Sequence, residues 1–131
     1  MNATGGTNDV EYLDLEDVTY LAGGPENIRD LGALLSALGR PQASLFGGDA
    51  YPDLWTKAAA LGQSLARNHP LIDRNKRTAF EAMLLFLDYN DEPYGDPHPD
   101  DAVAFMLRLA TGGYDESVAL AAKDLRSLLG R

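Results

Sequence analysis

The chain of 131 residues contains no cysteine. That excludes disulfide staples, thiolate nucleophiles and cysteine-ligated zinc or iron-sulfur centres. It also has no run of about 18 apolar residues that could span a bilayer. Its opening, MNATGGTNDV, lacks the basic start and apolar middle of a signal peptide. These two absences predict a cytoplasmic location and no membrane partner. Positive charge is scarce, with 11 Lys and Arg against 20 Asp and Glu, a net charge of -9 and a pI near 4.5. Such a surface repels nucleic acid and anionic lipid, so broad nucleic-acid binding is not expected. Ser36, Ser44, Ser64, Ser117 and Ser127 lie outside any G-x-S-x-G or S-x-x-K context, which argues against serine hydrolysis. With two histidines in the chain, His69 and His98, there are few candidates for a general base.

What is present reads as helical almost throughout. The length and 45% hydrophobic content suit one compact domain. Residues 1–11 read as a polar lead-in and 12–131 as the domain. LDLEDVTYLA forms a short helix that Gly23, Gly24 and Pro25 terminate, and a second runs from its cap Asp30 to Leu38, stopped by Gly39. "QASLFGGDAYP", residues 42–52, breaks the periodicity and reads as a loop or short hairpin. From Asp53, Leu54, Ala58, Leu61 and Leu65 recur at helical spacing to about Arg67. "TAFEAMLLFLDY" is apolar nearly all round and is expected to be the buried centre of a bundle. A connector, "DEPYGDPHPDD", precedes helices over 102–110 and 116–129. His98 reads there as a loop residue.

Against the acidic background, "NHPLIDRNKRTAF" gathers Arg74, Lys76 and Arg77 around His69 and Asp73. Pro70 ends the preceding helix, and the second half of the stretch opens the next. A helix start carries unpaired N–H groups and partial positive charge, so it favours anions. Lys76 and Arg77 there have the wrong sign for the dipole unless an anion sits between them. Asn75 fits an N-cap or a polar ligand contact. Asp73 could hold magnesium, which takes one or two carboxylates together with phosphate oxygens and water. His69 could then accept a proton from a hydroxyl. Arg67 and Arg74 are open to two readings, solvated charge or substrate contact.

"HPLIDRNKRTAF" resembles the signature of the Fic/Doc family, H-P-F-x-(D/E)-G-N-x-R, and more closely its Doc (death-on-curing) branch, in which N-K-R-T replaces N-G-R. The length and the "IRDLGALLSALGRPQ" segment also suit Doc-type toxins. The resemblance implies an all-α, single-domain bundle with a flap loop before the central motif. It implies His69 as general base, Asp73 as magnesium ligand, Asn75, Lys76 and Arg77 as the phosphate cradle, with Arg74 a further candidate contact, and ATP and Mg2+ as cofactors. The segment 42–52 falls where the family places a target-docking flap, with Phe46 and Tyr51 as side-chain contacts. No S/T-x-x-x-E-G/N self-inhibition motif stands in a suitable position, so the resemblance points to a separate Phd-type antitoxin as partner. Leu71 stands where the family prefers Phe, and Arg74 where it has Gly. Phe80 replaces the second arginine of AMP-transferring members, and Lys76 their glycine. Those changes point to transfer of the γ-phosphate to elongation factor Tu or another translation factor. AMP transfer, or a catalytically weakened binding module, stands as the alternative.

Overall fold

Apolar residues at helical spacing, punctuated by Gly, Pro and Asp, dictate a succession of short helices. The computed structural model, which describes residues 9–131, is built that way. It comprises α1 (Leu15–Leu21), a 3-10 turn at Pro25–Asn27, α2 (Leu31–Gly39) and a second 3-10 turn at Arg40–Gln42. A two-stranded antiparallel hairpin of β1 (Ser44–Leu45) and β2 (Gly48–Asp49) follows. Then come α3 (Leu54–Asn68), α4 (Asn75–Tyr89), α5 (Pro99–Ala110) and α6 (Val118–Leu128). The expected all-α bundle is the observed fold, and segment 42–52 takes the hairpin option. Most of the lead-in expected over residues 1–11 lies outside the described residues. Its last residue, Glu11, is clasped by the side-chain amide of Asn90 through bonds of 2.8 and 2.9 Å. Among the described residues no helix is long and apolar enough to cross a membrane.

Five helices begin on a side chain that accepts a first-turn N–H: Asp14, Asp30, Asp53, His98 and Ser117. Each such cap is worth about 1 kcal/mol. His98 is therefore a cap, its Nδ1 accepting from the N–H of Asp100 at 3.1 Å. It is followed by Pro99 in the first helical position, where a missing N–H costs nothing. That is why α5 starts three residues before the expected Ala102.

The structure corrects the expectation that "TAFEAMLLFLDY" is the most buried helix. The central element is α3, which packs against α2, α4, α5 and α6. On α4, Phe80, Glu81, Leu84 and Leu85 are only partly covered. The small residues Ala58, Ala59, Ala60 and Gly62 let neighbours approach α3 closely, and a Cβ on Gly62 would collide with the Met83 side chain. Its polar residues disguised this, because Lys57, Gln63 and Ser64 look like a solvated face yet are buried. Each is satisfied internally, as buried polar groups must be. Lys57 Nζ donates to the Pro41 carbonyl (3.3 Å) and Asp49 Oδ2 (3.2 Å). Gln63 donates to the Tyr114 carbonyl (3.1 Å), while Arg40 Nη1 donates to Gln63 Oε1 (2.7 Å) and Ser64 Oγ (3.0 Å).

Candidate active site: a clasped loop between α3 and α4

Pro70 lacks an N–H and cannot prolong α3, so the helix ends at His69 with left-handed backbone (φ 47, ψ 57). Five residues later Arg74, also left-handed (φ 68, ψ 26), caps the start of α4. The loop between these reversals is anchored by Leu71, which is 2% exposed and forms an isolated antiparallel bridge with Ile28. Leucine thus fills the buried position where the Fic/Doc signature prefers phenylalanine.

Residues 27–30 form a template along which this loop is laid. The N–H groups of Arg29 and Asp30 both donate to the Pro70 carbonyl (2.9 and 3.0 Å), and Ile72 N–H donates to the Asn27 carbonyl (2.8 Å). The Asn27 side chain accepts from Asp73 N–H (3.0 Å) and donates to the Asp73 carbonyl (2.9 Å) and the Ala22 carbonyl (3.0 Å). Arg29 Nε donates to the His69 carbonyl at 3.0 Å. Asn27 and Arg29 went unnoticed in the sequence because their partners in the loop lie 46 and 40 residues away respectively, beyond the reach of any local periodicity.

Asn75, expected as an N-cap or a ligand contact, is the first residue of α4 rather than its cap. Its amide closes the loop internally, accepting from Leu71 N–H and donating to the Leu71 carbonyl, both at 3.0 Å. The cap position belongs to Arg74, which offers no side-chain acceptor. Hence α4 differs from the five capped α-helices: its first turn has no side-chain cap, carries no acidic residue, and presents exposed Lys76 and Arg77. An anion there would satisfy free N–H groups, the helix dipole and two cations together.

His69 and Asp73 are both exposed beside this turn. The His69 side chain makes no hydrogen bond among the described residues. One Asp73 oxygen accepts from Arg74 N–H (2.8 Å), which orients the carboxylate and leaves Oδ2 available. Arg74 parts company with the other two cations. Its side chain lines a groove of about 830 Å3 with α1, Gly23 to Pro25 and Glu81. Lys76 and Arg77 line a separate apolar groove of about 700 Å3 between α4 and α5, with Phe80, Val103 and Leu107. Arg67 is held by Asp115 in an ion pair of 2.7 Å.

At the hairpin, Phe46 is 99% exposed with a left-handed backbone (φ 52). Tyr51 is instead tied to the hairpin base. Arg40 Nε donates to its hydroxyl at 2.9 Å and the guanidinium lies 5.3 Å from its ring centroid.

A sequence profile of the Fic/DOC family matches residues 8–87, a span that includes the clasped loop, all of α3 and α4 as far as Leu87. The chain belongs to the Fic/DOC family. It is similar to Toxin Doc of Mycolicibacterium smegmatis, 50% identical over 115 residues that cover 83% of this chain and 88% of that protein. Measured against the Fic/DOC signature, Arg74 is the departure with the clearest physical consequence. A non-glycine residue in the left-handed region costs about 1–2 kcal/mol, whereas glycine adds only about 0.4–1 kcal/mol of unfolded-chain entropy. Arg74→Gly is accordingly expected to raise stability by up to about 1 kcal/mol, measured by urea unfolding. Unchanged or lower stability would show that the Arg74 side chain stabilises the fold by more than its backbone strain costs.

Proposed function

We propose that this protein is a Doc-like toxin of a toxin-antitoxin module. In this reading it transfers the γ-phosphoryl group of Mg-ATP to a hydroxyl of a translation factor, elongation factor Tu in the first instance. The observation that carries the reading is the uncapped, doubly cationic start of α4, set against the loop bearing His69 and Asp73. Family membership supports a transferase, and the similarity to a Doc toxin supports the toxin role.

The γ-phosphate is held by the free N–H groups of the α4 first turn together with Lys76 and Arg77. His69 takes the proton of the target hydroxyl as its oxygen forms a bond to the γ-phosphorus. The bond from that phosphorus to the bridging oxygen breaks, and ADP leaves with the electron pair. Arg77 and Lys76 offset charge on the phosphoryl oxygens in flight. Among the described residues no group of three or more His, Cys, Asp or Glu side chains could hold a metal. Asp73 Oδ2 would be the carboxylate ligand for a magnesium ion, which would take its other ligands from phosphate oxygens and water. Magnesium, when bound, neutralises phosphate charge and orients the triphosphate. The exposed hairpin edge and Phe46 are suited to seat an extended segment of the target by strand addition. Restraint is assigned to a Phd-type antitoxin whose tail folds onto an apolar groove of the domain.

Mg-ATP is expected to raise the melting temperature saturably, following the logarithm of ligand concentration over Kd. Asp73→Ala and Arg77→Ala should remove that rise with little change in the melting temperature of the unliganded protein, because both side chains are exposed and the one Asp73 bond, to Arg74 N–H, lies at the surface. A wild-type melting curve indifferent to Mg-ATP across three decades of concentration, roughly 0 to 4 kcal/mol of linkage for a true site, would favour a binding module without catalysis.

A further inference from the structure

Arg29 has no place in the reaction proposed above, yet its side chain touches the backbone of the residue assigned as base. At the end of α3 the last carbonyls need donors, and a helix commonly finds them in the N–H groups of the next two residues. Here the second of those residues is Pro70, which has no N–H, and His69 N–H makes no capping bond among the described residues. Arg29 supplies what is missing from a distance of 40 residues in sequence. Its Nε donates to the His69 carbonyl at 3.0 Å, and its Nη2 donates to the same oxygen and reaches the Asn68 carbonyl at 3.4 Å. Its backbone N–H holds the Pro70 carbonyl at 2.9 Å. Three successive carbonyls therefore rest on one residue, and its cation lies at the negative end of α3, where the helix dipole favours it.

We infer that Arg29 is a positioning residue for His69: its guanidinium fork holds the strained left-handed backbone of His69 and so fixes the direction of the imidazole. Left-handed backbone at a non-glycine residue persists only where surrounding contacts enforce it. The bridge at Leu71 and the Asn27 clasp hold the loop beyond Pro70, so they keep it folded but do not constrain the peptide plane of His69. Arg29 is itself exposed, so truncating it opens no cavity. The cost falls on orientation, and misplacement of a reacting group by about 1 Å lowers rates on the order of 100-fold.

The inference rests on His69 being the base, and two measurements separate its failure from failure of that role. The first is the His69 backbone conformation in wild type, Arg29→Ala and Arg29→Lys, read from its three-bond HN–Hα coupling and Cα shift. Arg29→Ala is expected to lose the left-handed signature at His69 while the bridged Leu71 and the helical Asn75 keep their wild-type couplings and shifts, and Arg29→Lys to lose it in part. The second is single-turnover phosphoryl transfer. Arg29→Ala should lower the rate about 10- to 100-fold at unchanged Kd for Mg-ATP, with partial recovery on adding guanidinium chloride at concentrations too low to unfold the protein. An unaltered His69 signature in Arg29→Ala overturns the inference whether or not the wild type transfers phosphate. Full activity in Arg29→Ala beside an active wild type overturns it equally. An inactive wild type, by contrast, counts against the reaction and leaves the backbone measurement to decide the role of Arg29.

Discussion

His69→Ala is expected to lower the initial rate of the proposed phosphoryl transfer by about 100- to 10,000-fold, while leaving Mg-ATP binding and thermal stability near wild-type values. A neutral hydroxyl is a poor nucleophile at neutral pH, and without a base its proton has nowhere to go as the bond to phosphorus forms. The effect on the fold is small for three reasons visible in the structure. The side chain is exposed, it makes no hydrogen bond among the described residues, and alanine must adopt the same left-handed backbone as histidine. Surface substitutions of this kind stay within about 0.5 kcal/mol. The pairing of a large kinetic loss with an unchanged melting temperature distinguishes a base from a structural histidine. Initial rates and melting curves on the same preparation check it, and residual transfer above about one tenth of wild type would contradict the role.

Leu71→Ala has the largest expected effect on stability. Leu71 is 2% exposed and its main chain is pinned on one side by Ile28 and on the other by the Asn75 amide, so the loop cannot collapse to fill the space left. Truncating a buried leucine costs about 2–5 kcal/mol, out of a total that is about 5–15 kcal/mol for a domain of this kind. The denaturation midpoint in urea should fall with little change in slope. The anchor also carries the loop between His69 and Asp73, so phosphoryl transfer is expected to fall as well. Leu71→Phe, the residue the family signature favours, should be far milder, within the roughly 1–3 kcal/mol of overpacking. A cost below about 1 kcal/mol for Leu71→Ala would mean that the clasp of residues 27–30 holds the loop unaided.

The local features of the fold were legible in the sequence for physical reasons. Asp30 was readable as a cap because a carboxylate ahead of an apolar-periodic run has one favourable use. The pair Gly23 and Gly24 before Pro25 was readable as a stop, and both glycines do take positive φ. The hairpin at 44–49 was one of two options for a segment rich in glycine. What escaped was whatever depended on distant partners. Lys57 carries a charge that local patterning assigns to solvent, yet it lies 2% exposed beneath Asp49 of the hairpin and the Pro41 carbonyl. Polar residues of this kind hid the central position of α3 and transferred it to the more uniformly apolar α4.

The candidate site followed the same division. The motif from His69 to Arg77 was readable as an anion-binding turn because it concentrates cations on an acidic chain at a helix start. Its internal wiring was not. Asn75 suits a cap by residue type, but the non-local fold places it one residue too late and turns its amide back onto Leu71. Arg74 adjoins Lys76 and Arg77 in sequence, yet the left-handed turn at its own α-carbon sends it toward α1 while the other two face α5. Asn27 and Arg29, which hold the loop, show no local pattern at all, since a main-chain carbonyl as partner leaves no trace in the sequence.

The central claim is that the α4 start grips the terminal phosphate, with Lys76 in place of the glycine and Phe80 in place of the second arginine of AMP-transferring relatives. Incubating the purified protein with elongation factor Tu, magnesium and ATP labelled at either the α- or the γ-phosphorus tests it directly. The account predicts label on the factor from γ-labelled ATP alone, lost with His69→Ala. Label from α-labelled ATP would contradict it and identify the reaction as AMP transfer.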